Sequence, residues 1–439
     1  METNLSTNEM AKNAKKACLK IANVDTKTKN QLLLAISDRI KQSATRIKDC
    51  NEKDVQFAKE LLEKGELSKP LLNRLILTDD KIEQLSTYLE EVAKLEDPVG
   101  KRQFAMKLAN GLELERLTCP IGLIAIIFES RPEVVIQVTA LSLKSGNGVI
   151  LKGGAEAANT NRVLFEIINE VLEEFDLSNT VNLIETRGDV AELLKQDTFV
   201  DLIIPRGSNS FVKYIQDNTR IPVLGHSSGI CHIYIDSEYD SEMAIPVILD
   251  AKLDYPSACN AVETLLVNQN VAEELIPEVI KSLQNKEVKV LGCGRTTEIA
   301  KINNLTIENA TQEDWLTEYT DLILSIRIVE STNDAIDHVN TYGSHHTDSI
   351  ITTSDETAAY FLQQVDSACV FHNASTRFSD GYVFGLGAEV GISTNKTHSR
   401  GPVGLDGMII YKYLLKGEGH MKGSFSGPNA QTFIHEPID

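Results

Sequence analysis

The sequence predicts an α/β protein built on parallel, doubly wound sheets. Two series of strands alternate with helices, the first over residues 112–224 and the second over residues 231–364. This alternation is typical of βαβ units, in which a helix returns the chain to start the next parallel strand. Apolar runs such as Leu123–Phe128 support the prediction, because strands of such sheets are buried on both faces. Residues 8–95 show helical periodicity only.

The first series opens with a predicted edge strand at Leu112–Thr118, which Pro120 and Gly122 end. The elements predicted after it are the strand Leu123–Phe128, the helix Pro132–Leu143, the strand Gly148–Leu151, the helix Ala155–Phe175, the strand Val181–Ile184, the helix Asp189–Gln196, the strand Val200–Pro205, the helix Ser208–Asp217 and the strand Ile221–Leu224.

The second series begins with the predicted strand Cys231–Asp236. It continues with the helices 241–252, 271–284, 332–340 and 355–364 and with the strands Thr264–Val267, Val288–Leu291, Leu322–Val329 and Ser349–Thr352. From residue 378 onwards the chain is rich in glycine, and we expect an irregular tail.

The net charge narrows the classes of partner. The 439 residues include 43 basic and 63 acidic side chains, which gives a formal net charge of −20. An acidic surface repels phosphate backbones and anionic lipids, so we expect neither nucleic-acid binding nor membrane attachment. At roughly 150 residues per domain, the length predicts two to three domains.

The cysteine pattern indicates a reducing compartment. Seven cysteines are scattered without C-x-x-C pairs, which predicts free thiols rather than a disulfide framework. The polar N-terminal segment lacks the apolar core of a secretory signal, and no apolar run reaches the roughly 18 residues of a transmembrane helix. We therefore expect a cytoplasmic protein in which one thiol can serve as a nucleophile.

Standard nucleotide and metal motifs are missing from the sequence. No G-x-G-x-x-G follows an early strand, and no G-x-x-x-x-G-K-[ST] occurs. Residues 225–229 match the G-x-S-x-G of hydrolases, but a predicted strand follows them where that motif requires a helix, so we expect a loop between domains. His345 and His346 are adjacent and point apart on a regular element, so no metal site is predicted.

Cys259 is the most promising chemical group. Tyr255 and Pro256 end the preceding helix, small residues flank the thiol, and a strand follows at once. Such a loop can present a thiol to a cleft and leaves room for a substrate carbonyl. A buried cysteine in a tight turn is the alternative.

Seven motifs in order show that the chain resembles the gamma-glutamyl phosphate reductase family within the aldehyde dehydrogenase superfamily. The resemblance extends from about residue 10 to about residue 420 and rests on segments 127–134, 150–154, 204–209, 222–226, 255–261, 373–378 and 387–393. It implies reduction of L-glutamyl 5-phosphate by NADPH to L-glutamate 5-semialdehyde, with release of phosphate, in proline biosynthesis. It also implies a homodimer or higher homo-oligomer, and glutamate 5-kinase as a candidate partner.

The resemblance further implies an aldehyde-dehydrogenase-like fold in three parts. A non-standard Rossmann domain for NADP would comprise residues 1–110 and 125–228, and an α/β catalytic domain would comprise residues 229–405. A small β extension for oligomerisation, with the C-terminal tail, would comprise residues 111–124 and 406–439.

Catalytic roles follow by matching motifs to the family. Cys259 corresponds to the nucleophile that forms a thioester, and Ser130 stands where relatives place an oxyanion-binding asparagine. Val223 occupies the position of the glutamate base with which other aldehyde dehydrogenases hydrolyse the thioester. Without that base the thioester survives for reduction, which agrees with a reductase that releases phosphate.

Ligand-binding residues follow from the same match. Lys152 would contact the adenosine ribose, Ala155 would leave space for the 2′-phosphate of NADP(H), and Glu318 would hold the nicotinamide ribose. Gly207 and Ser208 belong to the turn that meets the pyrophosphate. The residues expected to bind the substrate anions are Arg131, Asn373, Ser375, Thr376, Arg377 and Arg400.

Three other functions stay open at this point. One is another aldehyde or acyl-phosphate dehydrogenase of the superfamily. The second is a cysteine hydrolase that uses Cys259 with His226, and the third is a non-catalytic scaffold.

Overall fold

The computed structural model describes residues 6–226 and 228–438, without the side chains of Pro70 and Arg187. The helices in these ranges are α1 Thr7–Ile21, α2 Thr26–Gln42, α3 Ala44–Glu63, α4 Lys69–Leu75, α5 Asp79–Lys94, α6 Glu133–Lys144, α7 Ala158–Glu174, α8 Arg187–Leu193, α9 Asn209–Asn218, α10 Ser241–Leu253, α11 Ala272–Gln284, α12 Gly294–Ile302, α13 Thr332–Tyr342 and α14 Asp355–Gln364. No helix among the described residues is long and apolar enough to cross a membrane.

The rest of the regular structure consists of strands and a few short 3₁₀ turns. They are β1 Arg102–Ala109, β2 Leu112–Pro120, β3 Leu123–Phe128, β4 Gly148–Lys152, β5 Val181–Ile184, β6 Leu202–Arg206, β7 Cys231–Ile235, β8 Val262–Asn268, β9 Lys289–Gly292, β10 Glu308–Asn309, β11 Ile323–Val329, β12 Thr347–Ile351, β13 Cys369–His372, β14 Ile392–Ser393, β15 Gly401–Pro402, β16 Ile409–Lys416 and β17 Glu436–Pro437.

Helices α2 and α5 cover one face of the first parallel sheet, whereas α1 packs against its other face. Side-chain caps at Ser6, Asp25 and Thr78 satisfy free N–H groups at the starts of α1, α2 and α5. The apolar side chains of α2 and α5 are buried in one core with those of α6, α7 and the sheet. These helices therefore form the wall against which β3 and β4 are packed.

The first parallel sheet has the strand order β5-β4-β3-β6. All six side chains of Leu123–Phe128 are buried, as their apolar run predicts. The predicted strand Ile221–Leu224 is wrong, because only a single parallel bridge joins Val223 to Ile203. Pro222 has no N–H to donate, so a regular ladder cannot extend along this segment.

The second sheet is parallel and has the order β10-β9-β11-β8-β7-β12-β13. Its predicted elements are confirmed to within a few residues, and α14 spans the predicted range Asp355–Gln364. The short strands β10 and β13 and the helix α12 were not predicted. The predicted α/β class with parallel sheets is confirmed.

A separate antiparallel sheet has the order β16-β2-β1-β17. The prediction that Leu112–Thr118 is an edge strand is wrong, because β2 lies between β1 and β16. The C-terminal segment returns to pair with it over Ile409–Lys416, a long-range contact that no local pattern indicates. The sheet also includes β1, which the predicted boundaries assign to the cofactor-binding part.

Candidate active site

The candidate site lies where three neighbouring strands of the second sheet begin. β8, β7 and β12 are adjacent and parallel, so the loops leading into them end at the same edge of the sheet. Cys259 lies three residues before β8, and His346 directly precedes β12. His226 lies in the loop that joins the first parallel sheet to β7. Sheet topology thus brings together side chains that are far apart in sequence.

Cys259 lies in a tight turn that leaves its side chain partly exposed. The N–H groups of Ala258 and Ala261 donate to the carbonyls of Tyr255 and Ala258, each at 3.0 Å. Gly229 packs so closely on the Cys259 carbonyl that any Cβ at that position would collide with it. The Cys259 N–H has no acceptor among the described residues, so it can donate to an oxygen of the substrate.

Two imidazoles lie close to the thiol. Cys259, His226 and His346 each contribute one ligand-type atom, and these three atoms lie within 4.8 Å of one another. The His226 Nδ1 lies 2.8 Å from the carbonyl oxygen of Ile392. Because a carbonyl can only accept, Nδ1 carries the proton of the neutral ring and Nε2 carries the lone pair. His226 can therefore accept the thiol proton and generate the nucleophilic thiolate.

Three of the other cysteines, Cys18, Cys231 and Cys369, are buried, whereas Cys50, Cys119 and Cys293 are partly exposed like Cys259. All seven thiols are free, as predicted. Burial raises the pKa of the Cys18 thiol to about 11, and it raises the pKa of the Cys231 thiol well above its ordinary value. Cys231 donates its S–H to the Cys259 carbonyl at 3.3 Å, so it supports the turn from inside. Among the partly exposed thiols of the described residues, Cys259 is the one that lies close to two imidazoles.

The predicted substrate loop is attached to the nucleophile turn. Arg377 donates a hydrogen bond to the side chain of Asn260, the residue after Cys259, and its Nε lies 3.0 Å from Asp254 Oδ2. The Asn260 amide donates to the carbonyls of Arg377 at 3.3 Å and Ser379 at 2.9 Å. The structure therefore places this loop next to the thiol, as a substrate-binding loop requires.

Several predicted substrate residues already have internal partners. The Asn373 Oδ1 accepts from the Thr352 N–H at 3.0 Å, and its Nδ2 donates to the Thr352 carbonyl at 2.9 Å. Ser375 Oγ accepts from the Arg377 N–H at 3.3 Å. Thr376 is fully buried, and its hydroxyl has no partner in the described part of the chain. These contacts hold the loop, and the substrate roles of its residues stay predictions.

Arg400 is likewise engaged within the protein. Its Nη1 lies 3.1 Å from Asp366 Oδ1, and its Nη2 donates to the Asp366 carbonyl at 2.9 Å. Since its charge is already compensated, an anion would have to compete with Asp366 for this guanidinium.

Three arginines form a cationic group beside the nucleophile loop. Arg74 Nη2 donates to the Tyr255 hydroxyl at 3.0 Å. Burial lowers the pKa of the Arg131 guanidinium, and the positive charges of Arg206 and Arg74 lower it further. In the described ranges none of the three forms a salt bridge, although Glu133 and Glu389 contribute negative charge nearby. Like charges held together without a paired carboxylate favour the binding of an anion.

A groove lies at the carboxyl end of β4, where the sequence predicts the adenosine of the cofactor. Lys152 is the last residue of β4, and Ala155 is exposed at the start of a short 3₁₀ turn. The groove is lined by Gly153, Gly154, Ala158, Asn161, Leu183, Ile184 and Glu185. The position is the one at which α/β sheets bind nucleotides, outside the carboxyl ends of their strands.

The turn predicted to meet the pyrophosphate holds a carboxylate in this structure. Ser208 is the N-cap residue of α9, and its N–H donates to Glu129 Oε2 at 3.1 Å. A Cβ at Gly207 would approach the same Glu129 oxygen to 2.6 Å. The turn thus accepts a negative group, as expected for a helix N-terminus, and a pyrophosphate at this N–H would require Glu129 to turn away.

Glu318 lies across from this same turn. Its Oε2 accepts a hydrogen bond from Asn209 Nδ2 at 2.7 Å, and Asn209 directly follows Ser208. The structure therefore brings together Gly207, Ser208 and Glu318, which the sequence predicts as cofactor contacts from two different domains. Their contact with the cofactor stays a prediction.

Ser130 differs from the expectation for an oxyanion donor. It is buried, with φ at 46°, and both its N–H and its hydroxyl donate to Glu156 Oε1 at 2.7 Å. The single hydroxyl proton is therefore already used in this conformation. The free N–H of Cys259 is the better-placed donor.

Sequence reasoning did not find three of these groups. Adjacent histidines point apart on a regular element, so the sequence predicts no metal-binding role for His346, and only the order of the strands places it beside Cys259. Arg74 carries no motif signal. Arg206 belongs to segment 204–209, one of the seven family motifs, and ends a parallel strand, a position at which functional side chains are common, but the sequence assigned it no role.

Comparisons with known proteins show which family this chain resembles. The model of the family described as "Aldehyde dehydrogenase family" matches residues 2–304. A gamma-glutamyl phosphate reductase of Natronomonas pharaonis is 50% identical over 426 residues, which cover 97% of this chain and 96% of that protein. One from Acetivibrio thermocellus is 49% identical over 436 residues, which cover 99% of each chain. The crystal structure of gamma-glutamyl phosphate reductase from Thermotoga maritima is similar with a TM-score of 0.91 and 38% identity, over 95% of this chain and all of that one.

Proposed function

This chain belongs to the aldehyde dehydrogenase family, and from that membership we propose that it reduces L-glutamyl 5-phosphate with NADPH through a thioester on Cys259. It is an oxidoreductase of the gamma-glutamyl phosphate reductase type, which acts in proline biosynthesis. The observation that supports the mechanism is the half-exposed Cys259 thiol, whose sulfur lies within 4.8 Å of a ring nitrogen of His226 and of His346.

The first step forms the thioester. Nε2 of His226 accepts the thiol proton, and the thiolate attacks the acyl carbon of the substrate. The Cys259 N–H is free to donate to the oxygen that becomes negative. When the tetrahedral intermediate collapses, the bond to the phosphate oxygen breaks and phosphate leaves with that electron pair.

The second step reduces the thioester. A bound NADPH would supply the hydride that reduces the thioester carbonyl. On the protein side, the carbon–sulfur bond to Cys259 would then break, which would release the aldehyde and regenerate the thiolate. The imidazolium of His226 can return its proton to the thiolate, which restores the starting state. Val223 occupies the family's base position and cannot activate water, so hydrolysis of the thioester lacks its usual glutamate.

The arginine group fits the two anionic ends of this substrate. Arg74, Arg131 and Arg206 lack salt-bridge partners among the described residues and lie by the loop that carries Cys259. An acyl phosphate and an α-carboxylate are the kinds of anion that guanidinium groups bind in bidentate geometry. The chain's net charge of −20 makes such a local group of cations necessary.

Use of NADPH rather than NADH is the finer part of the proposal. A nicotinamide cofactor is common to the family. Ala155 is exposed beside the groove at the end of β4, where a glutamate would repel a 2′-phosphate. Lys152 at the same strand end supplies positive charge.

The reverse reaction tests this function directly. Purified protein receives L-glutamate 5-semialdehyde, NADP and phosphate, and the absorbance of reduced cofactor is followed. We expect reduction of NADP only when phosphate is present. Turnover without phosphate would instead show a hydrolytic aldehyde dehydrogenase, and cofactor-independent thioester cleavage would show a cysteine hydrolase.

The matched variants are Cys259→Ser and Cys50→Ser. The first should abolish turnover and retain NADP binding, because only the nucleophile is lost. Cys50 is a half-buried thiol of α3 outside the site, and its replacement should leave the rate unchanged. Retained activity in Cys259→Ser would remove the thioester from the mechanism.

We also propose that the antiparallel sheet mediates assembly into a homo-oligomer. The outer strand β16 exposes Ile410, Tyr411, Tyr413 and Leu415, which are between 40% and 60% accessible. An edge strand with large apolar side chains favours pairing with another chain. Light scattering of Leu415→Asp should show smaller particles than the parent protein. Glutamate 5-kinase as a partner stays a prediction.

A further inference from the structure

We propose that Zn²⁺ binds reversibly at His226, Cys259 and His346 and blocks the enzyme. The site consists of a thiol and two imidazoles, the ligand types that zinc prefers. The inhibitory consequence rests on the proposed role of Cys259 as nucleophile, whereas the binding itself does not.

The three ligand atoms could bind one metal ion if they moved slightly closer together. Their ligand-type atoms lie within 4.8 Å of one another. Ligand atoms around a tetrahedral zinc are roughly 3.3–3.8 Å apart, given bond lengths of about 2.0–2.3 Å. Cys259 and His226 both lie in loops, which can move inward by about 1 Å without breaking a helix or strand.

His226 is already oriented as a metal ligand. Its Nδ1–H donates to the Ile392 carbonyl at 2.8 Å, so the lone pair is on Nε2. A hydrogen bond from the distal ring nitrogen to a carbonyl is the usual outer contact of a metal-bound histidine, because it fixes the tautomer and the ring angle.

His346 provides the second, independent observation. It is completely buried, and its Nε2 has no hydrogen-bond partner among the described residues. Its Nδ1 lies 2.9 Å from the Thr347 hydroxyl, which leaves Nε2 as the uncommitted nitrogen. A buried nitrogen without a partner is costly, and a bound cation would satisfy it.

The two rings and the thiol enclose one common space. The ring centroids of His226 and His346 are 4.9 Å apart, with an interplanar angle of 83°. Three protein ligands leave a fourth position open to water or to an anion. With one thiolate and two neutral imidazoles around a divalent ion, the site carries a net charge of +1, so the phosphate released by the reaction is a suitable fourth ligand.

Zinc and the substrate would therefore exclude each other. A sulfur bound to zinc has its lone pair engaged and attacks acyl phosphates poorly, and an acylated sulfur offers no thiolate to the metal. The predicted inhibition is reversed by a chelator and reduced when the thioester accumulates.

The test uses full-length protein, reduced and freed of metal, with Co²⁺ as the spectroscopic probe and Zn²⁺ as the competitor. We expect one equivalent of Co²⁺ to produce a thiolate-to-cobalt charge-transfer band, which Zn²⁺ abolishes. Zn²⁺ should also slow alkylation of Cys259 by iodoacetamide, as measured by mass spectrometry of the Cys259 peptide. Protein whose Cys259 is alkylated before Co²⁺ is added should show no charge-transfer band. This control blocks the thiol without any amino-acid substitution.

Histidine variants assign the ligands. His226→Gln and His346→Gln should each weaken Co²⁺ binding by about tenfold or more. His345→Gln is the matched control, because His345 adjoins His346 but bonds the Asp366 carbonyl through Nδ1. The affinity of His345→Gln for Co²⁺ should stay within about twofold of that of the parent protein. Circular dichroism of the metal-free variants confirms that they are folded.

Two results would overturn the proposal. One is a charge-transfer band that survives in both His226→Gln and His346→Gln, and the other is absence of the band in the parent protein. If the band is absent but turnover still requires phosphate, the metal site alone is refuted. If the band is present but Cys259→Ser retains activity, the metal site stands and the proposed mechanism fails.

Discussion

The side-chain amide of Asn209 donates a hydrogen bond of 2.7 Å to the carboxylate of Glu318, and this contact joins the two α/β parts of the protein. Asn209 begins α9 directly after Gly207 and Ser208. Glu318 lies in the loop before β11 of the second sheet. Three predicted cofactor contacts therefore meet at one place between the sheets.

Replacing Glu318 tests this convergence. We expect Glu318→Ala to raise the KM for NADPH by about tenfold, roughly 1.4 kcal/mol, because a carboxylate that accepts from ribose hydroxyls is lost. The kcat should change less, and Glu318→Gln should retain part of the affinity. Steady-state kinetics with varied NADPH measure the effect. Glu313→Ala, an exposed glutamate in the same segment, is the control, and an equal effect there would refute the assignment.

Ala155 tests the choice of cofactor. Ala155→Glu should weaken NADPH binding by about tenfold relative to NADH, since the new carboxylate repels the 2′-phosphate and can accept from a 2′-hydroxyl. Ala155→Gln has a similar size without the charge and should shift the ratio less. Competition binding of both cofactors gives the ratio. An unchanged ratio in Ala155→Glu would place the 2′-phosphate elsewhere.

Arg131 tests the arginine group. Arg131→Met keeps the apolar stem and removes the charge, and it should raise the KM for the anionic substrate about 10- to 100-fold. Arg400→Met is a useful contrast, because Arg400 is already paired with Asp366 at 3.1 Å. That variant should lower the free energy of unfolding and change the KM by less. If Arg400→Met raised the KM more than Arg131→Met does, the substrate anion would have to bind near Arg400 and Asp366 instead.

His338 makes stability depend on pH. Burial lowers the pKa of the His338 imidazole to about 2, and the charges of His232 and Arg327 act in the same direction. Below its unfolded pKa of about 6.5, the unfolded chain binds a proton that the native state does not, so stability present above pH 6.5 is lost as the pH falls. Each pH unit below this value costs up to about 1.4 kcal/mol from this group.

His338→Asn isolates that contribution. Asparagine can keep the hydrogen bond from Arg327, whose Nη1 lies 3.1 Å from His338 Nδ1, and it does not titrate. Urea unfolding between pH 7 and pH 5 should show a shallower loss of stability in the variant. Parallel curves for both proteins would mean that His338 binds protons equally in the native and unfolded states, so that its native pKa is not lowered.

The sequence predicted most of the parallel strands and the loop position of Cys259, whose role as nucleophile stays a prediction. Runs such as Leu123–Phe128 are apolar at every position, and this local property is enough to predict a strand buried on both faces. Cys259 was found because a helix break, small neighbours and a following strand all lie within a few residues. The antiparallel sheet was misjudged at Leu112–Thr118, because its partner strand comes from the other end of the chain.

By itself, the sequence determined the α/β class, the free thiols and the family motifs, since each depends on residues close together along the chain. Only the tertiary structure decided what surrounds Cys259. The strand order β8-β7-β12 brings His346 to the thiol, and the packing of α4 brings Arg74 to Tyr255. Such contacts depend on which strands and helices become neighbours, and that choice reflects burial of the whole core rather than any local pattern.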